Sequence, residues 1–193
     1  MSTTNEKIDM IVIGSSTGGA EALNVLLPEL PSNFRQPILV SQHMPDTFID
    51  EFVIRLNKLA VLVVKQAKEG DELKAGTVYV SSGKKTIIVR KRNKKLFVTY
   101  TGCDGESGFC PSIDETLKSL VRIKGVNVLS IILSGIGKDG VAGVKELKKM
   151  GSKVWAQAEK DCIAFGMPKA IIDEGFADKV IHPSNMAEEL MRL

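Results

Sequence analysis

The sequence predicts an α/β protein: a doubly wound, mainly parallel sheet with an antiparallel β-hairpin as an addition. Three observations carry this. Strands alternate with helices over most of the 193 residues, and such alternation builds parallel sheets covered on both faces. The first unit, Ile11 to Leu23, is an apolar β-branched run, a Gly/Ser turn and the start of a helical pattern. Only the middle third changes character, with short strands at 60–64, 76–81, 86–90 and 96–100, the last two a hairpin around Lys91-Arg92-Asn93-Lys94-Lys95.

In chain order, Ile11-Val12-Ile13 enters the turn Gly14-Ser15-Ser16-Thr17-Gly18-Gly19, and a helix follows that Pro28 and Pro31 help to end. The spacing Gly14-x-Ser16-x-Gly18 fits a nucleophile elbow, where a serine rides a sharp turn with its Oγ exposed. Two plainer readings compete: ordinary turn chemistry, and a phosphate cradle at a helix start. The cradle loses ground because Ser16 stands where a dinucleotide fingerprint wants glycine and the lysine of a P-loop is missing. Pro37 to Gln42 gives a second strand, with His43 directly after it. Residues 47–58 have helical periodicity, with Phe48, Phe52, Ile54 and Leu56 as expected core residues.

Lys84, Lys85, Arg90, Lys91, Arg92, Lys94 and Lys95 crowd the hairpin. A solvated edge kept soluble by lysines accounts for them; a docking patch for an acidic partner is the functional alternative. Residues 104–110 read as a mobile loop, and Pro111-Ser112-Ile113-Asp114 opens a helix to about Ile123, with Ser112 or Asp114 serving its start. Val126 to Ser134 is the most hydrophobic strand and the candidate for the sheet centre. Asp139 follows in a strand-to-helix loop, where an N-cap is its default role. A strand at 153–157, a helix from Gly166, a strand at 177–181 and a helix from Pro183 complete the chain.

Bulk properties bound the function. Hydrophobic residues are 44% and charged residues 25%, near the globular average, which argues against disorder and against a membrane class. No apolar run approaches a membrane span and residues 1–7 lack a secretory segment, so a cytoplasmic location and no membrane insertion are expected. A net charge of +3 does not by itself imply nucleic acid. No linker divides the chain, so one domain over 1–193 is expected. Cys103, Cys110 and Cys162 lack metal-type pairing, so reduced thiols, no metal and no cofactor are expected.

A serine nucleophile needs a base in reach, and the base needs a group to fix its tautomer. Of the two histidines, His182 lies between Ile181 and Pro183 and reads as structural, which leaves His43 at a strand end. In open parallel sheets functional groups gather beyond the carboxyl ends of the strands; Ser16, His43 and Asp139 all fall there. Their chain order differs from that of the α/β-hydrolases, and triads are recognised by geometry rather than order.

Five blocks, Gly14 to Gly19, Val40 to Pro45, Pro111 to Asp114, Leu133 to Gly140 and Gly166 to Ala170, together resemble the catalytic domain of the chemotaxis receptor glutamate methylesterases, the CheB-type enzymes. The resemblance implies Ser16 as nucleophile, His43 as base and Asp139 as its partner, with Thr17 and the backbone at Ile136 shaping the oxyanion site. It implies as substrate the γ-methyl ester of glutamate on the cytoplasmic helices of methyl-accepting chemotaxis receptors, with glutamine deamidation as a second activity. In that setting Lys91, Arg92, Lys94 and Lys95 have a use, steering the enzyme to a glutamate-rich surface. The chain departs from the family in starting its first strand within about ten residues of Met1, where members carry a receiver domain. A free-standing form, one controlled by a separate regulator and a fragment all fit that departure. Ile136 stands where methionine is common, and Phe109-Cys110 replaces a basic pair. Two rivals are a serine esterase for a small-molecule ester and a non-catalytic anion- or partner-binding module of the same fold.

Overall fold

The computed structural model describes residues 7–103 and 108–193. Seven parallel strands form one sheet in the order β3-β4-β2-β1-β7-β8-β9: β1 Met10–Ser15, β2 Ile38–Gln42, β3 Val63–Gln66, β4 Thr77–Val80, β7 Val128–Ile132, β8 Lys153–Gln157 and β9 Lys179–Ile181. A separate antiparallel pair, β5 Thr86–Arg92 and β6 Lys95–Thr101, is the hairpin. Its turn is only Asn93 and Lys94, both at positive φ of 47° and 64°, the two-residue turn whose twist matches its strands. The order reverses at β1, which is therefore the central strand. The expectation that residues 126–134 hold the centre is corrected by one place: β7 is its neighbour.

Among the described residues six α-helices cover the sheet: α1 Gly19–Leu26, α2 Asp46–Leu59, α3 Ile113–Val121, α4 Val141–Lys149, α5 Gly166–Asp173 and α6 Pro183–Met191. Side chains alternate along a strand, so β1 feeds two cores. Ile11 and Ile13 pack with Leu23, Leu26, Phe52, Leu56, Met186 and Leu190 beneath α1, α2 and α6. Met10 and Val12 face Ile113, Leu117, Val144, Leu147, Met167 and Ile171 beneath α3, α4 and α5, and the hairpin closes this layer through Ile87, Val89 and Val98. With both faces buried, the central strands are continuous apolar runs rather than alternating ones.

Two expectations need correction. On α2 the buried residues are Ile49, Phe52 and Leu56, while Phe48 and Ile54 are exposed; one helical stripe spans i, i+3 and i+7, and those two fall off it. Cys103 and Cys110 are disulfide-bonded, with Cα atoms 5.4 Å apart, so only Cys162 remains a free thiol. Spacing in sequence says little about which cysteines the fold brings within bridging distance. The mobile loop expected at 104–110 lies in part, at 104–107, outside the described residues. His182, read as structural, ion-pairs with Asp161 near the surface.

Candidate active site

Parallel register places the first two candidates. Ser15 pairs with Gln42 at the carboxyl ends of β1 and β2, so Ser16 and His43 are the next residues on adjacent strands, whose backbones run about 4.8 Å apart. The His43 N–H donates to Ser15 O at 2.9 Å and secures the step. The two neighbouring serines are then distinguishable. Ser15 is fully buried and its Oγ donates to Gln42 Oε1 at 2.6 Å, whereas Ser16 is half-exposed at the rim.

Asp139 arrives from the loop after β7, the other neighbour of β1. Its Oδ2 lies 2.8 Å from His43 Nε2, with the Asp139 side chain wholly buried and that of His43 11% exposed. Its remaining bonds come from the N-terminus of α3: Ile113 N–H to Oδ2 at 2.8 Å and Asp114 N–H to Oδ1 at 2.9 Å, with Ser112 Oγ at 3.5 Å. The free donors of a helix start thus fix a carboxylate that in turn fixes an imidazole. Because Asp139 takes Nε2, the nitrogen left for a hydroxyl is Nδ1.

The turn is braced from the β7 side. Ser16 N–H donates to Ser134 O at 3.0 Å, and Ser134 Oγ donates to Thr17 O at 2.7 Å. Gly18 has φ 84°, and a Cβ there would lie 2.5 Å from Ser134 Oγ, so only glycine closes this corner. Thr17 and Ile136 both sit exposed at the mouth, and the N–H of neither meets a protein acceptor among the described residues.

Sequence reasoning missed two contributors, Gln42 and Gln157, and noted Phe109 only as a departure from the family pattern beside the cleft. Phe109 stacks on His43 with ring centroids 4.9 Å apart and planes within 5°. Gln42 spans both strand ends through its side-chain amide. Gln157, on β8, accepts from Ser134 N–H at 2.8 Å. The only available signal was polarity inside a buried strand, since a wholly buried amide must find partners. Cys162 does not compete as a nucleophile, because burial, with Asp161 adding to it, pushes its thiol to about 11. Among the described residues no cluster of His, Cys, Asp or Glu could hold a metal ion, and no helix is long and apolar enough to cross a membrane.

A model of the CheB methylesterase family matches residues 11–190. The chain belongs to the CheB methylesterase family. Over 184 residues it is 39% identical to a protein-glutamate methylesterase/protein-glutamine glutaminase of Thermotoga maritima, covering 95% of this chain and 54% of that protein. A protein of Photobacterium profundum described as protein-glutamate methylesterase/protein-glutamine glutaminase 2 is 37% identical over 188 residues, 97% of this chain and 48% of its own length. The chain thus spans about half the length of the curated relatives it matches. The crystal structure of the Thermotoga maritima CheB methylesterase catalytic domain superposes with TM-score 0.92 at 38% identity, covering 96% of this chain and 98% of that one. The doubly wound sheet and its hairpin are therefore the CheB catalytic fold.

Proposed function

We propose that this chain is a serine hydrolase that removes γ-methyl esters from glutamate side chains on the cytoplasmic helices of methyl-accepting chemotaxis receptors, and deamidates receptor glutamines by the same route. The observation that carries the reading is the His43 Nε2 to Asp139 Oδ2 bond of 2.8 Å, at the strand end beside Ser16. Asp139 keeps the proton on Nε2, so Nδ1 presents its lone pair as the base. Ser16 Oγ attacks the side-chain carbonyl carbon as its proton passes to His43 Nδ1. The imidazolium so formed is stabilised by the Asp139 carboxylate. The tetrahedral oxyanion takes hydrogen bonds from the Thr17 and Ile136 N–H groups. His43 returns the proton to the leaving oxygen and methanol departs, or to nitrogen and ammonia departs. Water, deprotonated by the same Nδ1, then hydrolyses the acyl-enzyme and releases glutamate and Ser16.

The names of the relatives carry both activities, which supports the pairing of ester and amide cleavage. The test is methanol release from methyl-labelled receptor by wild type and by His43→Ala. Release by wild type and its collapse in the variant are expected. Equal release by both would refute the base assignment, and turnover of simple methyl esters without action on receptor would favour a small-molecule esterase.

A further inference from the structure

We infer that Gln42 is a positioning residue for this reaction: its buried side-chain amide presets the Thr17 N–H as an oxyanion donor and ties the base-bearing strand end to the nucleophile-bearing one. The inference rests on the proposed roles of Ser16 and His43.

Gln42 ends β2 and is 2% exposed. Its Nε2 lies 3.0 Å from Ser16 O and 3.0 Å from His43 O, and its Oε1 lies 2.6 Å from Ser15 Oγ. Two carbonyl oxygens can be met only by the NH2 end, and the Ser15 hydroxyl donates to the other, so the network admits one orientation of the amide. Ser16 O accepts a second bond, from Gly19 N–H at 2.9 Å. A trans peptide is planar and points its C=O and the following N–H in opposite directions. Pinning the Ser16 carbonyl onto Gln42 and Gly19 therefore turns the Thr17 N–H away from both. The next plane is held too, because Thr17 O accepts from Ser134 Oγ. An apolar residue of similar size at position 42 would fill the space and supply none of these bonds.

The test uses Gln42→Leu and the near-isosteric Gln42→Glu, whose carboxylate accepts from Ser15 but has no proton for either backbone carbonyl. Thermal unfolding identifies folded variants, and Gln42→Asn, whose amide is one methylene too short to reach the Ser16 and His43 carbonyls from the same backbone position, serves if neither folds. Methanol release from methyl-labelled receptor gives kcat and KM. Labelling by a fluorophosphonate probe gives Ser16 reactivity without the receptor. The expected result is a kcat lower by about 10²–10³-fold, the size of losing one oxyanion donor, with KM little changed and probe labelling slowed in parallel. Folded variants with wild-type kcat and labelling rates would overturn the inference, since a merely structural glutamine would move only the unfolding temperature. If wild type itself neither labels nor releases methanol, the hydrolase reading falls first and this inference with it.

Discussion

Asp139 and Asp114 exchange helix caps. Asp139, just before α4, accepts the Ile113 and Asp114 N–H groups at the start of α3, while Asp114 Oδ1, inside α3, accepts the N–H groups of Gly140 at 3.0 Å and Gly143 at 2.7 Å at the start of α4. Each helix start is therefore satisfied by the other's aspartate, and the loop that carries Asp139 is locked by the helix that Asp139 caps. Replacing Asp139 by asparagine puts an NH2 among donors and lets His43 take the wrong tautomer. The expected loss in kcat is on the order of 10⁴-fold, the scale seen when a triad aspartate is amidated. Steady-state demethylation kinetics check it, and a loss of only a few fold would remove Asp139 from the site.

The exchange gives Asp114 a pH signature. Burial, with nearby Asp139 adding to it, raises its carboxyl above the ordinary 3.8 against the opposing bonds from Gly143 and Gly140. A folded-state pKa above the unfolded one means that the native state binds the proton more tightly. The contribution of Asp114 to stability is thus largest below pH 3.8 and declines as pH rises through the folded midpoint. Asp114→Asn keeps an oxygen for Gly140 and Gly143 without the charge. Its stability relative to wild type should rise with pH over that window in urea unfolding at fixed temperature. Asp114→Ala loses both caps and should cost about 1 kcal/mol at pH 7. A relative stability of the asparagine variant that falls with pH would contradict the sign.

Ser16 and Thr17 are adjacent and should respond very differently to truncation. Ser16→Ala removes the attacking oxygen, whereas Thr17 contributes its backbone N–H, which alanine retains. Demethylation should fall to background in the first. In the second it should stay within roughly tenfold of wild type, since each oxyanion donor is worth about 2.7–4 kcal/mol only if the donor is lost. Comparable losses would mean that the Thr17 hydroxyl, not its amide, does the work.

The sequence displays what strand ends expose. That Ser16, His43 and Asp139 share one rim could be read because polar residues that directly follow apolar runs in an α/β chain fall there. Gln42 could not, since a glutamine ending a strand looks like any other strand residue until the register sets it between Ser16 and His43. The cap exchange was hidden for a related reason. An aspartate at a helix start predicts a cap, but nothing local says that the helix capped is another one. Phe48 and Ile54 misled because hydrophobicity was counted without its angular position on α2. The Cys103–Cys110 bond depends on how the segment after β6 returns to α3, which spacing alone does not encode.

Gly135 should be irreplaceable for a steric reason. A Cβ there would collide with Met167 Sδ and lie 2.8 Å from Ser16 Cβ, so the buried Met167 side chain and Ser16 would both have to shift. Gly135→Ala should therefore destabilise by about 1–3 kcal/mol, as overpacking does, and depress kcat by displacing Ser16. Gly175, with open space about its Cβ position but a φ of 69°, is the control. Alanine there should cost stability through backbone strain alone and leave kcat unchanged. Chemical denaturation paired with kinetics separates the two, and a normal kcat in a folded Gly135→Ala protein would show that Ser16 is not packed as described.

The cationic hairpin lies off the site rather than in it. Ser112 N–H meets Thr86 Oγ1 at the Asp139 end of α3, and Lys91 Nζ reaches Lys124 O beyond the other end, so β5 carries its charges away from His43 toward the turn. Of Lys91, Arg92, Lys94 and Lys95, the last is already paired with Glu72 at 3.0 Å, so Lys91, Arg92 and Lys94 are the charges to test against a long acidic partner. Such distant charges act on encounter rather than on chemistry, and salt screens them over about 10 Å at 0.1 M. Reversing those three to glutamate should lower kcat/KM for receptor at low salt, flatten its salt dependence and leave kcat unchanged. It should also leave labelling of Ser16 by a neutral fluorophosphonate untouched. Unchanged kcat/KM at low salt would return the hairpin to the plainer role of a solvated edge.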